Sequence, residues 1–496
     1  MKITRSLMAA ALATAILGLV WLDKTPRPVL KPVLEGASTV GMAALPTNAH
    51  LSTSWYCPGV PGGKLSAATG NFSITNSSES AFSAVVTVFP ADGTPVAKTV
   101  EVAPRSRATV VPADIAPSAI SAALIEMTGA VGAVEQTATT QEGMSVSPCV
   151  LEPSSTWYFA DGSTRVDASM NLTLFNPSPT DAVVDLAFAD EDGPHPTKKF
   201  EGRVVPAHRL VVIDVGQVIQ RKERLSVAAT VRGGAIVMGR FQVLRGEDGT
   251  RRGLVVDAAA PALATTWRFA AGQNGDGGEG TLPAKERIIL HNPSEQDAVA
   301  TITTFPASPA PVPNGASSAV VGPPDPITVL VPARQSAVAD LAAPSAKGPA
   351  VPVVPTGLFS TVVSSDQPIV VERALDRTFE GRQLATLQLG SPLGSTEWVL
   401  AGGAPSGVQA TLAIVNVTGL AGRVTVKALS PAGLLPVPGL ESVDLPSGAL
   451  IRIPLDDKGV AASSLVVTST VEVVTERILR SAAAWSSSLG LPVAGP

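Results

Sequence analysis

The chain has 496 residues, too many for one hydrophobic core, and at roughly 100–200 residues per domain it is expected to form several domains. Its 45% hydrophobic residues exclude a disordered chain, and 44 glycines and 43 prolines without a collagen-like period favour turns and β structure over long helices. A net charge of −5 with 16% charged residues provides no basic surface for phosphate groups, so we expect no nucleic-acid partner.

Residues 1–24 are predicted to form a signal anchor. Lys2 and Arg5 precede an uncharged apolar run over residues 7–22. As a helix this run is about 24 Å long, between a cleavable signal peptide and a minimal transmembrane helix. Because no small-residue cleavage site follows it, we expect a retained single-pass helix in the cell membrane, with the C-terminal region extracytoplasmic. The alternatives are secretion after cleavage of the signal and a buried helix of a soluble protein.

The rest of the chain is predicted to contain four repeats. Each begins with a tryptophan motif, followed 18 to 25 residues later by an asparagine that ends an alternating strand, then by a proline-containing element and a closing strand. The tryptophans and asparagines are Trp55, Trp157, Trp267 and Trp398, and Asn76, Asn176, Asn292 and Asn416. We place repeats 1 to 4 at 51–152, 153–262, 263–393 and 394–496, after a Pro-rich linker at 25–50.

Within each repeat, apolar and polar residues alternate with period two, as from Ala182 to Asp190, which indicates strands with one buried face. Hairpin turns are predicted at 91–93 and 190–193, and the best helical stretch, 214–223, is interpreted as a connection between strands. Short strands separated by turns predict an all-β chain of four tandem Ig-like antiparallel β-sandwiches, arranged in a row. The alternative is a four-bladed propeller, whose blades usually need only about 40–50 residues.

Repeat 3 carries two insertions, 306–326 and 342–355, whose composition of Pro, Ala, Ser and Gly predicts exposed loops. The four asparagines are expected to hold turns, because an Asn side chain accepts hydrogen bonds from backbone two residues further on. Neither feature indicates a ligand site.

The two cysteines, Cys57 and Cys149, both lie in repeat 1. In an exported chain an even cysteine count favours oxidation, so we expect a disulfide that ties the first and last strands of this repeat together. Two buried free thiols are the alternative. A metal site is disfavoured because no further ligands stand at zinc-like spacing.

No catalytic constellation is found in the sequence. None of the four histidines, at positions 50, 195, 208 and 291, lies in a catalytic motif. Residues 275–280 match a dinucleotide-binding glycine pattern formally, but no helix follows them. Paired acids such as Asp190 and Asp192 occur at turns, where acidic side chains bind the backbone. We therefore predict a protein that is not an enzyme and has no cofactor and no metal.

The four equivalent tryptophans allow two interpretations. Exposed rings would be platforms for sugar stacking or for a partner, whereas buried rings would pack in the core of each repeat. Trp55, Trp157, Trp267 and Trp398 are therefore the candidate binding residues, with core packing as the competing interpretation.

Several segments together resemble a known family: 157–162, 174–177, 205–207 and 366–373. The chain is similar to exported actinobacterial envelope proteins of a family of unknown function, with WYFAEG-type repeats, over about residues 50–480. Repeat 4 departs from the pattern, since Val399 and Leu400 replace the aromatic pair. The resemblance implies an envelope location and supplies no catalytic residues.

Together these features predict a non-enzymatic, membrane-anchored cell-envelope protein that acts as a scaffold, spacer or adhesion module. Its partners would be cell-wall glycan or another envelope protein, in addition to the membrane that holds its N-terminal helix. One alternative is a carbohydrate-binding accessory protein of an envelope glycosyltransferase, which predicts exposed tryptophan rings. A hydrolase is the other alternative, and it requires a cleft with two close carboxylates or a histidine beside a nucleophile.

Overall fold

The computed structural model describes residues 42, 45, 52–65, 67–128, 132–247, 250–275, 283–307, 324–342, 354, 356–430, 432–481 and 484–493. The predicted signal anchor at 1–24, nearly all of the linker at 25–50 and most of both insertions of repeat 3 lie outside these residues. Where the structure describes the chain, we find no helix with the length and hydropathy needed to cross a membrane.

The chain is all-β, as predicted, and is built from several antiparallel sheets. Repeat 1 contains β1 (Ser52–Pro61), β2 (Thr69–Asn76), β3 (Phe82–Pro90), β4 (Val96–Val102), β5 (Ser106–Val110), β6 (Ile120–Thr128), β7 (Gly132–Thr139) and β8 (Met144–Pro148), with a 3-10 turn at Pro112–Asp114. Its inner sheet has the strand order β5-β2-β7-β8 and its outer sheet the order β1-β6-β3-β4, where "inner" marks the sheet that contains the strand ending in the repeat asparagine, here Asn76.

Repeat 2 contains β9 (Thr156–Phe159), β10 (Ala168–Asn176), β11 (Ala182–Asp190), β12 (Gly193–His195), β13 (Arg203–Val205), β14 (Arg209–Asp214), β15 (Leu225–Gly233), β16 (Val237–Arg245) and β17 (Arg251–Ala258), with 3-10 turns at Lys198–Phe200 and Val215–Gln217. The inner order is β14-β10-β16-β17, and the outer order is β12-β11-β15-β9 with β13 beside β11. Each sheet therefore corresponds to one in repeat 1.

Repeat 3 contains β18 (Ala264–Asn274), β19 (Ala284–Asn292), β20 (Ala298–Pro306), β21 (Ile327–Val331), β22 (Gln335–Asp340), β23 (Gly357–Phe379) and β24 (Arg382–Leu389). The long strand β23 belongs to both sheets, because it pairs with β18 and β20 near its start and with β19 and β24 near its end. In repeat 2 the two corresponding segments are separate strands, β15 in the outer sheet and β16 in the inner sheet.

Repeat 4 contains β25 (Ser395–Leu400), β26 (Gln409–Asn416), β27 (Gly422–Ser430), β28 (Gly433–Pro436), β29 (Val443–Leu445), β30 (Leu450–Pro454), β31 (Leu465–Arg480), β32 (Trp485–Leu489) and β33 (Leu491–Pro492). Its inner sheet runs β30-β26-β31-β32, and β31 also pairs with β25 and β27 of the outer sheet. In every repeat, alternate apolar residues of both sheets are buried between them, which gives the repeats sandwich character.

Both predicted hairpins are present. Val88 pairs with Val96 across the first turn, and Asp190 pairs with Gly193 across the second. The helical stretch at 214–223 contains only the 3-10 turn at Val215–Gln217, which begins where the Asp214 carboxylate accepts a hydrogen bond from the Gly216 amide. It connects two strands, as expected.

The last strand of each inner sheet in chain order, namely β8, β17, β24 and β32, contacts the next in a closed cycle. β17 and β24 pair in parallel. Ser145 Oγ lies 2.8 Å from the Val256 amide, which donates to it, and the Val146 amide donates to Ser486 Oγ at 3.2 Å. Repeat 4 therefore returns to repeat 1, and we call this arrangement the ring.

An open row of repeats is therefore wrong. A row would leave the inner sheets of repeats 1 and 4 facing solvent, whereas closure buries the side chains of both against each other. The ring shares with a propeller the placement of units around a centre, but each unit has two packed sheets where a propeller blade has one.

Candidate functional site at the contacts between repeats

The four candidate tryptophans are completely buried, each with 0% of its surface exposed. Each indole Nε1 donates a hydrogen bond to a backbone carbonyl of its own repeat, at 2.8–2.9 Å. The acceptors are Gly132, Ile236, Ile369 and Val473 for Trp55, Trp157, Trp267 and Trp398, respectively. The exposed ring faces that sugar stacking requires are not present, because each indole fills the space between the two sheets of its repeat.

The asparagine at the end of each second strand holds a turn, as predicted. In repeat 2, Asn176 Oδ1 accepts from the Ser178 amide at 3.0 Å, and its Nδ2 donates to the carbonyls of Thr180 at 2.8 Å and Val205 at 2.9 Å. Asn76, Asn292 and Asn416 make the equivalent bonds. The amide groups of these side chains form their hydrogen bonds with the backbone of the turn and of the neighbouring strand, so their role is structural.

Cys57 and Cys149 form the predicted disulfide, with their Cα atoms 4.6 Å apart. The equivalent positions in the other repeats hold a large side chain against a small residue, and these pairs are Phe159 with Ala259, Phe269 with Gly390 and Leu400 with Gly490. A Cβ on Gly390 would lie only 2.7 Å from Phe269 Cζ. The disulfide therefore occupies, in repeat 1, a slot that the other repeats fill by packing.

Three of the four contacts between repeats contain a buried ion pair. We call these contacts seams and name each by its two repeats. The pairs are Arg240 with Glu372 in seam 2/3 (2.7 Å), Arg373 with Glu476 in seam 3/4 (2.8 Å) and Arg477 with Glu135 in seam 4/1 (2.6 Å). Their side chains are at most 2% exposed.

Adjacent residues of one strand serve two seams. Glu372 and Arg373 are neighbours on β23, as Glu476 and Arg477 are on β31, and neighbouring side chains of a strand point to opposite faces of the sheet. The glutamate therefore faces the preceding repeat, and the arginine faces the following one. In repeats 3 and 4 this two-residue unit therefore links the repeat to both of its neighbours.

Each seam carboxylate also accepts backbone hydrogen bonds from the tryptophan motif of the preceding repeat. The Asp161 amide donates to Glu372 at 2.6 Å, and the Ala270 amide donates to Glu476 at 2.6 Å. Glu135 accepts from the amides of Ala401 at 3.0 Å and Gly402 at 2.8 Å. Buried charges are tolerated when they are paired and their remaining lone pairs are hydrogen-bonded, and these carboxylates meet both conditions.

Seam 1/2 is the exception, because Gln136 and Gly239 stand where the other seams have arginine and glutamate. A Cβ on Gly239 would lie 2.6 Å from Pro58 Cβ, so the glycine makes room for the proline. Pro58 has no amide hydrogen and occupies the position of Ala270 and Ala401. The carboxylate and one of the two amides that bind such a carboxylate in seam 4/1 are thus missing together.

Aromatic packing fills seam 1/2 in their place. The ring of Phe175 lies 4.7 Å from that of Phe89 and 6.4 Å from that of Tyr56, in tilted arrangements. Such pairs are stabilising beyond the area they bury. This seam is therefore apolar where the other three are ionic.

Burial and charge shift several pKa values in the ring. Burial alone would lower the pKa of Arg240, but Asp257 and Glu372 together raise it above its usual range. Burial raises the pKa of Glu286 to about 7 and lowers the pKa of His291 to about 4. His291 Nδ1 lies 3.1 Å from Ser336 Oγ within seam 2/3, and its burial makes it a structural group there.

The other residues considered for catalysis do not come together. His195 bonds to Asp190 at 2.8 Å beside a turn, and Lys222 bridges Asp190 and Asp192 at 3.0 and 2.9 Å. Residues 276–280 of the glycine-rich segment and His50 lie outside the described residues. Within the described part of the chain, no three His, Cys, Asp or Glu side chains are grouped as they would be to hold a metal ion.

A cavity of about 90 Å³ lies at the centre of the ring. All four last strands line it with mainly apolar side chains, among them Val146, Val256, Leu387 and Leu489, and Met42 also contributes.

The strands that carry the ion pairs of the seams are the closing strands of the sequence analysis, where they served only as landmarks of the repeats. The signal for the seams was nevertheless present, because opposite charges recur at fixed positions of strands that are otherwise apolar.

A model of a family described as "Family of unknown function (DUF5719)" matches residues 119–262, which is under a third of the chain and includes all of repeat 2 and the end of repeat 1. No curated protein matches the chain. Two solved structures show weak similarity. "Thermotoga maritima 1070" is 16% identical, with a TM-score of 0.19, and the alignment covers 26% of this chain and 93% of that one. The "tetra-tandem repeat in extending region of large adhesion protein" is 12% identical, with a TM-score of 0.08 and coverage of 86% and 96%.

Proposed function

We propose that the chain is a non-enzymatic, exported cell-envelope protein whose four Ig-like repeats form a rigid interaction scaffold. The observation that carries this proposal is the cycle of buried seams, in which Arg–Glu pairs from three seams join all four repeats. Buried ion pairs whose carboxylates also accept backbone hydrogen bonds favour one arrangement of the units they join. Rigidity of this kind suits a platform that holds partners at fixed distances.

The location outside the cytoplasm rests on two features. The basic residues and apolar run at 1–24 have the pattern of a signal anchor, which would tether the scaffold to the cell membrane. The disulfide between Cys57 and Cys149 fits an oxidising compartment. The match to a family of unknown function is compatible with a relationship to exported actinobacterial proteins with WYFAEG-type repeats, which is part of the proposal.

Cell-wall glycan or another envelope protein is the proposed partner. The carbohydrate-binding alternative loses the residues that motivated it, since the four tryptophan rings are buried. A sugar-binding role would have to use another surface. A hydrolase is the weakest alternative, because none of the four histidines lies in a catalytic motif.

The location is tested with the full-length chain carrying a C-terminal alkaline phosphatase, which is active only outside the cytoplasm, and with a matched fusion to a reporter active only inside. We expect phosphatase activity in the membrane fraction. We also expect Cys57 and Cys149 to resist alkylation until their disulfide is reduced. Cytosolic recovery with two free thiols would contradict the proposal.

The scaffold role is tested by using the full-length chain as bait for cell-wall fractions and solubilised membrane proteins. The matched control is Glu135→Ala, which opens seam 4/1 without changing the outer surface. We expect envelope components to be retained by the wild-type chain and retained less by the variant. Retention equal to that of a blank matrix would refute the scaffold role.

A further inference from the structure

Seam 3/4 contains buried polar residues that the other seams lack. Arg377 follows Arg373 by four positions on β23, so both side chains point to the same face of the sheet. The register of the inner sheets places neutral residues at the position of Arg377 in the other repeats, namely Thr140, Leu244 and Ser481. Arg452 on β30 is likewise replaced by Thr109, Val212 and Val338.

Arg377 is fully buried, with an exposed fraction of 0%. Among the residues that the structure describes, none accepts a hydrogen bond from any of its three side-chain nitrogens. Its Cζ lies 3.6 Å from the centre of the Trp485 ring, so the indole covers one face of the guanidinium. A cation–π contact leaves the N–H groups in the plane of the guanidinium unsatisfied, and these need an acceptor.

The same seam contains further buried donors. Within the described part of the chain, four more of its nitrogens have no hydrogen-bond partner: Arg373 Nη1, Gln388 Nε2, Arg452 Nη1 and Trp485 Nε1. Gln388 bonds to Arg373 Nη2 through its oxygen at 2.5 Å, so only its donor is left. Arg452 is held close by the sheet, since Ala413 pairs with both Arg452 and Glu476.

The carboxylates of this seam are already occupied. Glu476 accepts from Arg373 and from the Ala270 amide. Glu286 accepts from the Gln273 amide at 2.9 Å, and burial raises its pKa to about 7, which weakens it as a counter-ion. Burial, then the charges of Arg452 and Arg373, lower the pKa of Arg377. Three arginines therefore face two acids, neither of which contacts Arg377.

We propose that seam 3/4 binds a small inorganic anion, a halide or an oxyanion such as phosphate, beside Arg377 and Arg452. An anion there supplies an acceptor for guanidinium nitrogens of Arg377 and Arg452 that lack one among the described residues, and it balances the charge of Arg377. The anion would act as an internal counter-ion that joins repeats 3 and 4, as the carboxylates of the seams do elsewhere in the ring.

The test is thermal unfolding of the full-length chain, kept soluble by a mild detergent, at constant ionic strength set with gluconate. Chloride and phosphate are raised separately from about 1 to about 100 mM. We expect Tm to rise by about 1–2 °C for each tenfold increase above the dissociation constant, because a ligand of the folded state stabilises by mass action. The anion with the larger effect identifies the preferred class.

Two variants take their substitutions from the other repeats. Arg377→Leu installs the residue of repeat 2, and Arg452→Val installs that of repeats 2 and 3. Both are expected to lose the anion dependence of Tm. The matched control is Arg423→Val, which removes an exposed ion pair to Asp444 in repeat 4 and should keep the dependence.

A direct measurement completes the test. In crystals of the full-length chain soaked in bromide, an anomalous peak should lie within hydrogen-bond distance of the Arg377 guanidinium. The proposal would be overturned if no such peak appears at saturating bromide and the Tm of the wild-type chain does not change when chloride or phosphate replaces gluconate. Water would then be the acceptor for these donors. The proposal would also be overturned if the Tm of Arg377→Leu still depends on the anion. If Arg377→Leu does not fold, the same criterion applies to Arg452→Val.

Discussion

Removal of the Glu135 side chain should open the ring at the contact between its first and last repeats. Glu135 bonds to Arg477 at 2.6 Å and accepts from the amides of Ala401 and Gly402, and the ion pair is at most 2% exposed. Breaking one partner of a buried pair typically costs about 3–5 kcal/mol, because the other charge stays buried without compensation. For Glu135→Ala we therefore expect a loss of about 4 kcal/mol in the free energy of unfolding.

This loss is measured by urea and thermal unfolding of the full-length chain at neutral pH, followed by near-ultraviolet circular dichroism of the buried tryptophans. If the ring unfolds as one unit, a loss of this size lowers Tm by about 3–5 °C. The control is Arg423→Ala, which breaks a pair with side chains that are 64% and 77% exposed and should change stability by less than about 0.5 kcal/mol.

The residues of seam 1/2 provide the design for a variant that should be more stable than Glu135→Ala. The combined variant Glu135→Gly, Ala401→Pro and Arg477→Gln reproduces the residues found there at Gly239, Pro58 and Gln136. Since it removes the charge pair together with one of the two amides that Glu135 accepts from, we expect it to cost at least about 2 kcal/mol less than Glu135→Ala. A cost below about 1 kcal/mol for Glu135→Ala, or a combined variant that is no better, would refute the role assigned to the seams.

Three further predictions concern single features. Replacing Cys57 and Cys149 by alanine should lower the free energy of unfolding by about 2–5 kcal/mol, whereas Phe and Gly at these positions, as in repeat 3, should restore part of it in a urea titration. Asn176→Ala removes an acceptor and two donor contacts in a turn and should cost about 2–4 kcal/mol by the same titration; a neutral result would contradict the turn role. The pKa of Glu286 is raised by burial from its ordinary value of 4.5 to about 7 in the folded chain, so its contribution to stability falls as pH rises between these values. Glu286→Gln should therefore stabilise the chain by about 2–3 kcal/mol at pH near 8 but not near pH 4, and equal effects at both would be inconsistent with the raised pKa.

Local features of the repeats could be predicted from the sequence because their physical causes are local. The alternation from Ala182 to Asp190 gives the buried face of a strand, and the turn at its end pairs Asp190 with Gly193. The asparagine turns depend on hydrogen bonds to residues two and four positions away. The disulfide followed from two cysteines lying within one repeat.

The tryptophans show where such prediction ends. Their equivalent positions indicated a shared role, but a strand position does not reveal whether a large aromatic side chain meets a second sheet or solvent. The structure places each ring between two sheets of its own repeat, where the indole nitrogen reaches a carbonyl. Whether each ring is buried or exposed therefore depends on how the two sheets pack.

The sequence by itself determined the repeated unit, its strands and turns and its disulfide, since these depend on spacings that every copy preserves. Only the tertiary structure decided that the repeats close on themselves and that their charges meet in buried pairs. Glu135 and Arg477 are 342 positions apart, and alternation shows which face of a strand each occupies without showing what faces it. Closure depends on the angle between successive repeats, which packing at each seam sets.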